Sequence, residues 1–211
     1  CNPVIINCVF DGNDASEDGG GMFCEMSSTS LLNCRFLNNT AGWGGGFYAF
    51  TGCTIQLTNC HFEDNSASFR GGALLLNEDS MAAIDQCVFK MNTANDFGGA
   101  IYSPDNDNST IINTAICENA PSTSQIFPLS HWVDLGGTCL TDVCDSDSDG
   151  TFDCFDNCPD DPNKIEPGQC DCGVEDTDTD EDGIADCNDP CPNWPYDCSE
   201  DGQTITVAVG Q

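Results

Sequence analysis

The 211-residue chain carries 36 acidic side chains against four basic ones, a formal charge of −32. That balance excludes nucleic acid as a partner, because no basic patch is present to neutralise phosphate, and it disfavours an anionic membrane surface for the same reason. Seventeen cysteines point to an oxidising compartment, and no apolar run reaches the length needed to insert into a membrane. The odd cysteine total leaves at least one thiol free or paired outside the chain. No signal peptide is present, so the sequence reads as a mature protein or a piece of a longer one.

Self-similarity organises the first 138 residues. Cys8, Cys34, Cys60, Cys87 and Thr114 are spaced by 26, 26, 27 and 27 residues. Two residues after each stands Phe10, Phe36, Phe62, Phe89 or Ile116, and three before it Ile5, Leu31, Leu57, Ile84 or Ile111. Five after come Asn13, Asn39, Asn65, Asn92 and Asn119; seven after come Ala15, Ala41, Ala67, Ala94 and Pro121. A Gly-Gly pair recurs at Gly19/Gly20, Gly45/Gly46, Gly71/Gly72 and Gly98/Gly99. A unit this short cannot bury its apolar face alone, so neighbouring copies must stack.

The local period is two, which is strand-like, and the density of Gly, Asn and Ser excludes helix. The aliphatic residue and the cysteine three positions later are out of phase, so the chain bends between them. At the bend sits Asn7, Asn33, Asn59, Gln86 or Asn113, and Asn tolerates the left-handed conformation of a one-residue corner. Corners stacked at the strand spacing of about 4.8 Å would let their amides hydrogen-bond along the stack. The fold class is therefore all-β: a right-handed parallel β-helix of about five coils with three short strands per coil, the hand following the parallel-crossover rule. The phrase N-C-x-F-x-x-N-x-A…G-G over residues 4–121 resembles the β-helix repeats of bacterial polymorphic outer-membrane and surface proteins. Residues 122–138, with Phe127, Leu129, Trp132, Val133 and Leu135, are expected to fold over the open end as a cap. The cysteine column reads as small buried core residues, with no bridges assigned.

From Asp145 to Cys191 an acidic phrase is written twice. Asp145, Asp147, Asp149, Gly150, Asp153, Cys154, Asp156 and Cys158 recur 33 residues later as Asp178, Asp180, Asp182, Gly183, Asp186, Cys187, Asp189 and Cys191. Oxygens at positions 1, 3 and 5, glycine at 6, a main-chain carbonyl at 7 (Thr151, Ile184) and a carboxylate at 12 describe a calcium loop. With Asp153 and Asp186 at position 9, the candidate ligands number six per loop and the expected cofactor is Ca2+, two or more ions. The flanking helices of a calcium hand are missing, with Cys and Pro in their place. The pattern D-x-D-x-D-G-x-x-D-x-x-D-x-C-P, followed by Pro162-Asn163-Lys164 and Cys170-Asp171-Cys172, resembles thrombospondin type 3 repeats. That resemblance implies a calcium-wrapped, disulfide-tied segment with almost no core of its own. Between Asp142 and Asp201 stand 21 acids and one base, Lys164; unneutralised, such a density repels itself into a coil.

The expected domains are thus a β-helix with its cap (1–138), a calcium-binding segment (139–202) and a C-terminal strand (203–211). The alternating Gln203-Thr-Ile-Thr-Val-Ala-Val-Gly210 would open a next unit or cover the exposed edge of another copy, giving head-to-tail self-association. Chemistry is sparse: His61 and Arg35 share an outward column one coil apart, and Asp11, Glu63 and Asp64 are the carboxylates that might be asked to converge. No nucleophile motif or phosphate loop is present, so the chain reads as a non-enzyme. Outward Trp43, Phe69, Phe97 and Tyr102 offer a surface for a glycan or cell-surface ligand. The expected function is an extracellular structural or adhesive protein of a surface fibre, stiffened by calcium; the rival is a carbohydrate-binding or polysaccharide-degrading module.

Overall fold

A computed structural model describes residues 2–105 and 108–194; the strand expected at 203–211 lies outside them. The chain divides into two compact units between Cys144 and Asp145.

The first unit is a right-handed parallel β-helix of about five coils. Among the described residues its strands form four parallel sheets, not three strand positions per coil. The first sheet stacks Val4–Ile6, Ser28–Leu32, Thr54–Thr58, Met81–Asp85, Ser109–Ile112 and Trp132–Asp134. The second stacks Val9–Asp11, Arg35–Leu37, His61–Glu63, Val88–Lys90, Ala115–Cys117 and Cys139–Thr141. A third, shorter sheet holds Thr40–Trp43, Ser66–Arg70 and Thr93–Ala94; the fourth runs from Met22–Glu25 through Phe47–Phe50, Leu74–Leu76 and Ile101–Tyr102 to Ile126–Phe127.

The corner between the first two sheets is a single left-handed residue in every coil: φ is 55° at Asn7, 55° at Asn33, 49° at Asn59, 54° at Gln86 and 48° at Asn113. An amide ladder links these corners where Asn follows Asn, with Asn33 Nδ2 donating to Asn7 Oδ1 (3.1 Å) and Asn59 Nδ2 to Asn33 Oδ1 (2.9 Å). Those groups are exposed. The ladder that holds the interior lies in the other asparagine column. Asn13, Asn39, Asn65, Asn92 and Asn119 each donate Nδ2–H to the side-chain oxygen of the next coil at 2.7 to 3.0 Å, the last one to Gln125 Oε1. From Asn39 onward the second Nδ2 proton goes to a carbonyl of the preceding coil, at Phe10, Phe36, Phe62 and Phe89. Asn39, Asn65 and Asn92 are wholly buried, so every donor and acceptor must be met internally.

Inside, Phe10, Phe36, Phe62 and Phe89 form one continuous stack, with centroids 4.5, 4.6 and 4.8 Å apart and planes within 9° of parallel. Coil spacing dictates that distance, because side chains in register on neighbouring strands must lie one strand apart. The glycine pair in register is Gly19/Gly20, Gly44/Gly45, Gly71/Gly72 and Gly98/Gly99 rather than Gly45/Gly46 in the second coil. Gly44 adopts φ 60°, and a Cβ on Gly45 would run into the carbonyls of Ser66 and Gly72 in the next coil.

Residues 122–138, the expected cap, lie against the last coil as strands. Ile126 pairs with Ile101, Trp132 with Ser109 and, just beyond, Cys139 with Ala115, so residues 126–141 carry three sheets onward as a further, irregular coil. Ile126 and Trp132 are buried in line with the core, a larger gain than covering its end from outside would give. The β-helix therefore runs past residue 138, and Cys144, joined to Cys117 by a disulfide, closes it.

Candidate metal-binding loops

Among its described residues the second unit has almost no apolar core; turns, carboxylates and disulfides define it. In the first loop, Asp145 receives N–H groups from Ser148 (2.7 Å) and Gly150 (3.0 Å), and Asp147 receives that of Asp149 (3.1 Å). Asp149 receives the N–H of Thr151 (2.6 Å). The second loop repeats the pattern: Gly183 N–H to Asp178 (2.8 Å), Asp182 N–H to Asp180 (3.3 Å) and Ile184 N–H to Asp182 (2.9 Å). The turn depends on Gly150 and Gly183, at φ 98° and 96°, in the region that favours glycine. One ligand atom each from Asp145, Asp147 and Asp149 lies within 4.8 Å of the others, and the same holds for Asp178, Asp180 and Asp182. Each triplet could bind a metal ion.

The position-12 residues are placed by their own turns, Cys158 N–H donating to Asp156 Oδ1 and Cys191 N–H to Asp189 Oδ1, both at 2.7 Å. What remains is four oxygens, Oδ2 of Asp147, Asp156, Asp180 and Asp189, all shielded from solvent and without a hydrogen-bond partner among the described residues. They are the same atoms at the same positions, 3 and 12, of both loops. Asp156 is only 7% exposed. Loss of hydration, followed by the like charges of Asp149, Asp156 and Asp145, raises the Asp147 carboxyl above its ordinary value. Asp180 is raised by loss of hydration and by Asp182, Asp189 and Asp178. Solvent-shielded carboxylate oxygens without donors fit a hard cation, and their chemistry favours calcium or magnesium over the softer metals.

Two predicted ligands are engaged elsewhere. Both oxygens of Asp153 accept from Ser146, N–H and Oγ–H at 2.7 Å each, and Asp186 accepts from Thr179 N–H (2.8 Å) and Oγ1–H (2.6 Å). The Thr179 hydroxyl and N–H hold Asp186 below its usual range. These contacts brace the loop start against its end. Ser146 and Thr179 themselves were not singled out from the sequence, although a hydroxyl at position 2 of both copies is the signal that would have found them. Thr151 and Ile184 stand two residues after the last aspartate of each triplet, beyond Gly150 and Gly183, where a main-chain carbonyl is the expected contribution.

Disulfides interleave with the loops: Cys158–Cys172 and Cys170–Cys187, closing separations of 14 and 17 residues. Each of that length contributes about 3 kcal/mol by restricting the unfolded chain. Cys139, Cys154 and Cys191 are disulfide-bonded as well. Lys164 ties the intervening turn, donating to Asp176 Oδ1 (3.0 Å) and to the carbonyls of Pro167 (3.0 Å) and Cys170 (3.2 Å). Asp176 is held low by the Cys170 N–H and then Lys164, and Asp161 by the N–H groups of Gly173 and Asn163.

On the β-helix, His61 Nε2 lies 3.1 Å from Glu63 Oε2, beside Arg35 in register. Burial lowers the His61 pKa; Glu63 opposes the shift, and Arg35 and Lys90 add to it. Asp11 accepts from Asn38 Nδ2 (3.0 Å), and Leu37 stands between Asp11 and Glu63 in register. Trp43 stacks on Phe69 at 4.8 Å and Phe97 on Phe127 at 4.5 Å. The Arg70 guanidinium sits over Tyr102, 5.0 Å from the ring centroid, and donates to its hydroxyl at 2.7 Å. Phe69 and Phe97 stay exposed, whereas Tyr102, expected to face outward, is buried with Tyr48 and Leu75.

Compared with known proteins, residues 1–116 match the model of a family described as "Right handed beta helix region". No curated protein and no solved structure matches the chain.

Proposed function

Since the chain belongs to the right-handed β-helix family, we propose that it is an extracellular structural protein whose β-helix is followed by a strap that calcium makes rigid. The family includes polysaccharide lyases and non-enzymes alike, so the fold leaves the chemistry open. Its many disulfides are compatible with an extracellular setting. The observation that carries the calcium reading is the matched set of unpartnered, solvent-shielded Oδ2 atoms at positions 3 and 12 of both loops. The likeness of the doubled phrase to thrombospondin type 3 repeats supports the same assignment.

Asp145, Asp147, Asp149 and Asp156 would hold one ion and Asp178, Asp180, Asp182 and Asp189 another, with the Thr151 and Ile184 carbonyls completing each shell. When bound, calcium supplies positive charge where the carboxylates of a loop repel one another. The role is mechanical: a self-repelling acidic segment takes one shape. A carbohydrate-binding role for the β-helix would draw on the exposed Phe69 and Phe97.

Isothermal titration calorimetry of the calcium-depleted protein tests the assignment. Saturable uptake of two or more calcium ions per chain, with magnesium binding more weakly, is expected. Absence of saturable calcium binding overturns it.

A further inference from the structure

Six described cysteines are free: Cys8, Cys24, Cys34, Cys53, Cys60 and Cys87. Four form the repeat column, one per coil, and there the thiols turn to carbonyls: Cys34 donates to Leu32 and Ile5, and Cys60 to Thr58 and Leu31, at 3.4 to 3.5 Å. Cys24 and Cys53 lie off that column.

Cys24 stands in the fourth sheet opposite Ala49, whose own neighbour in the next coil is Leu76. Cys53 stands one residue before Thr54, in the column of Ser27 and Ser80, as the pairing of Thr54 with Ser28 and Met81 shows. Each of these two columns holds one cysteine, and the two occur in neighbouring coils, facing each other across the turn. Both side chains are buried, and the two Sγ atoms are 2.8 Å apart. Their other polar contacts are local: Cys24 with the Ser27 carbonyl (3.4 Å) and Thr29 Oγ1 (3.9 Å), Cys53 with the Phe50 carbonyl (3.2 Å). A pair of sulfurs this close lies inside ordinary non-bonded contact and needs only a small side-chain rotation to reach a bond of about 2.05 Å.

We propose that Cys24 and Cys53 are a redox pair that closes to a disulfide, stapling the first coil of the β-helix to the second. The oxidant is a small disulfide such as oxidised glutathione. One cysteine thiolate attacks a glutathione sulfur and expels one glutathione thiolate; the other cysteine then attacks the mixed disulfide and expels the second. The S–S bond of one glutathione disulfide is exchanged for Cys24–Cys53, and the two thiol protons leave with two molecules of reduced glutathione. Burial, and then contact with Cys53, pushes the Cys24 thiol up to about 11, so the thiolate is scarce once the coil has closed. Exchange therefore takes place while the coil forms, and the finished bond is shielded from reductant.

The test is refolding of the full chain in a reduced/oxidised glutathione buffer, blocking with iodoacetamide in denaturant, and non-reducing peptide mapping. Formation of Cys117–Cys144 is the internal control that the buffer is oxidising enough. The expected map contains a Cys24–Cys53 peptide, with Cys34, Cys60 and Cys87 alkylated. A map in which Cys117–Cys144 has formed while Cys24 and Cys53 are both alkylated, or are joined to other cysteines, overturns the proposal. As a second measurement, Cys24→Ala, Cys53→Ala and the double variant should show the same lowered unfolding midpoint, because each loses one and the same cross-link. The link shifts the folding equilibrium roughly four-hundredfold; losses that add in the double variant would contradict it.

Discussion

Replacing Asn65 with alanine isolates the contribution of the buried ladder. The Asn65 side chain is wholly buried; its Nδ2 donates to Phe36 O and to Asn92 Oδ1, and its Oδ1 accepts from both Asn39 N and Asn39 Nδ2. Asn65→Ala strands the Asn39 main-chain N–H and one Asn39 amide proton in the interior, while the Phe36 carbonyl keeps its place in the ladder with Phe62 and Asn92 Oδ1 keeps the Asn65 N–H. An orphaned buried polar group costs about 1–3 kcal/mol. Allowing for partial relaxation, the two together cost about 3 kcal/mol, a large share of the ~5–15 kcal/mol that holds a typical domain. Asn59→Ala is the control: its amide ladder is exposed, and the loss is one bond to Asn33 plus the strain of alanine at φ 49°, about 1–2 kcal/mol. Urea unfolding followed by far-UV circular dichroism at fixed calcium reads both. If Asn65→Ala costs no more than Asn59→Ala, the buried column is not what holds the coils in register.

Gly45→Ala forces a Cβ against the carbonyls of Ser66 and Gly72, and should lower the unfolding midpoint of the β-helix more than Gly52→Ala, which meets no neighbour although Gly52 sits at φ 65°. Asp156→Asn and Asp189→Asn should each weaken calcium binding at one loop by tenfold or more in calorimetry, and affinity unchanged in both would remove position 12 from the ligand set. Asp161 and Asp176 are held low in the fold by the donors around them. Their contribution is complete above the ordinary carboxyl value of about 3.9 and drains as pH falls through the lower folded values. An acid titration followed by near-UV dichroism should therefore show the second unit loosening only below about pH 4, and Asp176→Asn should remove part of that pH dependence.

Much of the β-helix is legible because its registers repeat. The Cys-x-Phe alternation fixes which side chains face inward, and the Asn7, Asn33 and Asn59 corners show as breaks in that alternation. Less legible is which of two asparagine columns is interior. Asn39 and Asn65 are as regular in sequence as Asn33 and Asn59, and only the direction of the backbone after the second sheet turns the former inward. The extra strand position is hidden for the same reason: Thr40–Trp43 is short, and glycine-rich turns separate it from Phe47–Phe50. Residues 122–138 break the 27-residue rhythm, so their apolar side chains read as a cap although Ile126 and Trp132 keep their places in the sheets. In the acidic unit, spacing marks Asp145, Asp147 and Asp149, but it cannot separate a ligand from a brace. Asp153 braces its loop through two donors from Ser146, a contact the spacing alone does not display. Cys24 and Cys53, 29 residues apart against a 26-residue coil, meet on a diagonal that no alignment of columns displays.

The central claim is that divalent ions give the acidic unit its single shape. Hydrogen–deuterium exchange of the full chain, with calcium and with a calcium chelator, addresses it most directly. The account predicts that amides of the two loops, Gly150 and Gly183 foremost, are protected in calcium and exchange freely in chelator, while the buried strands around Phe36 and Phe62 are unaffected. Equal protection of both loops in the two conditions would contradict it.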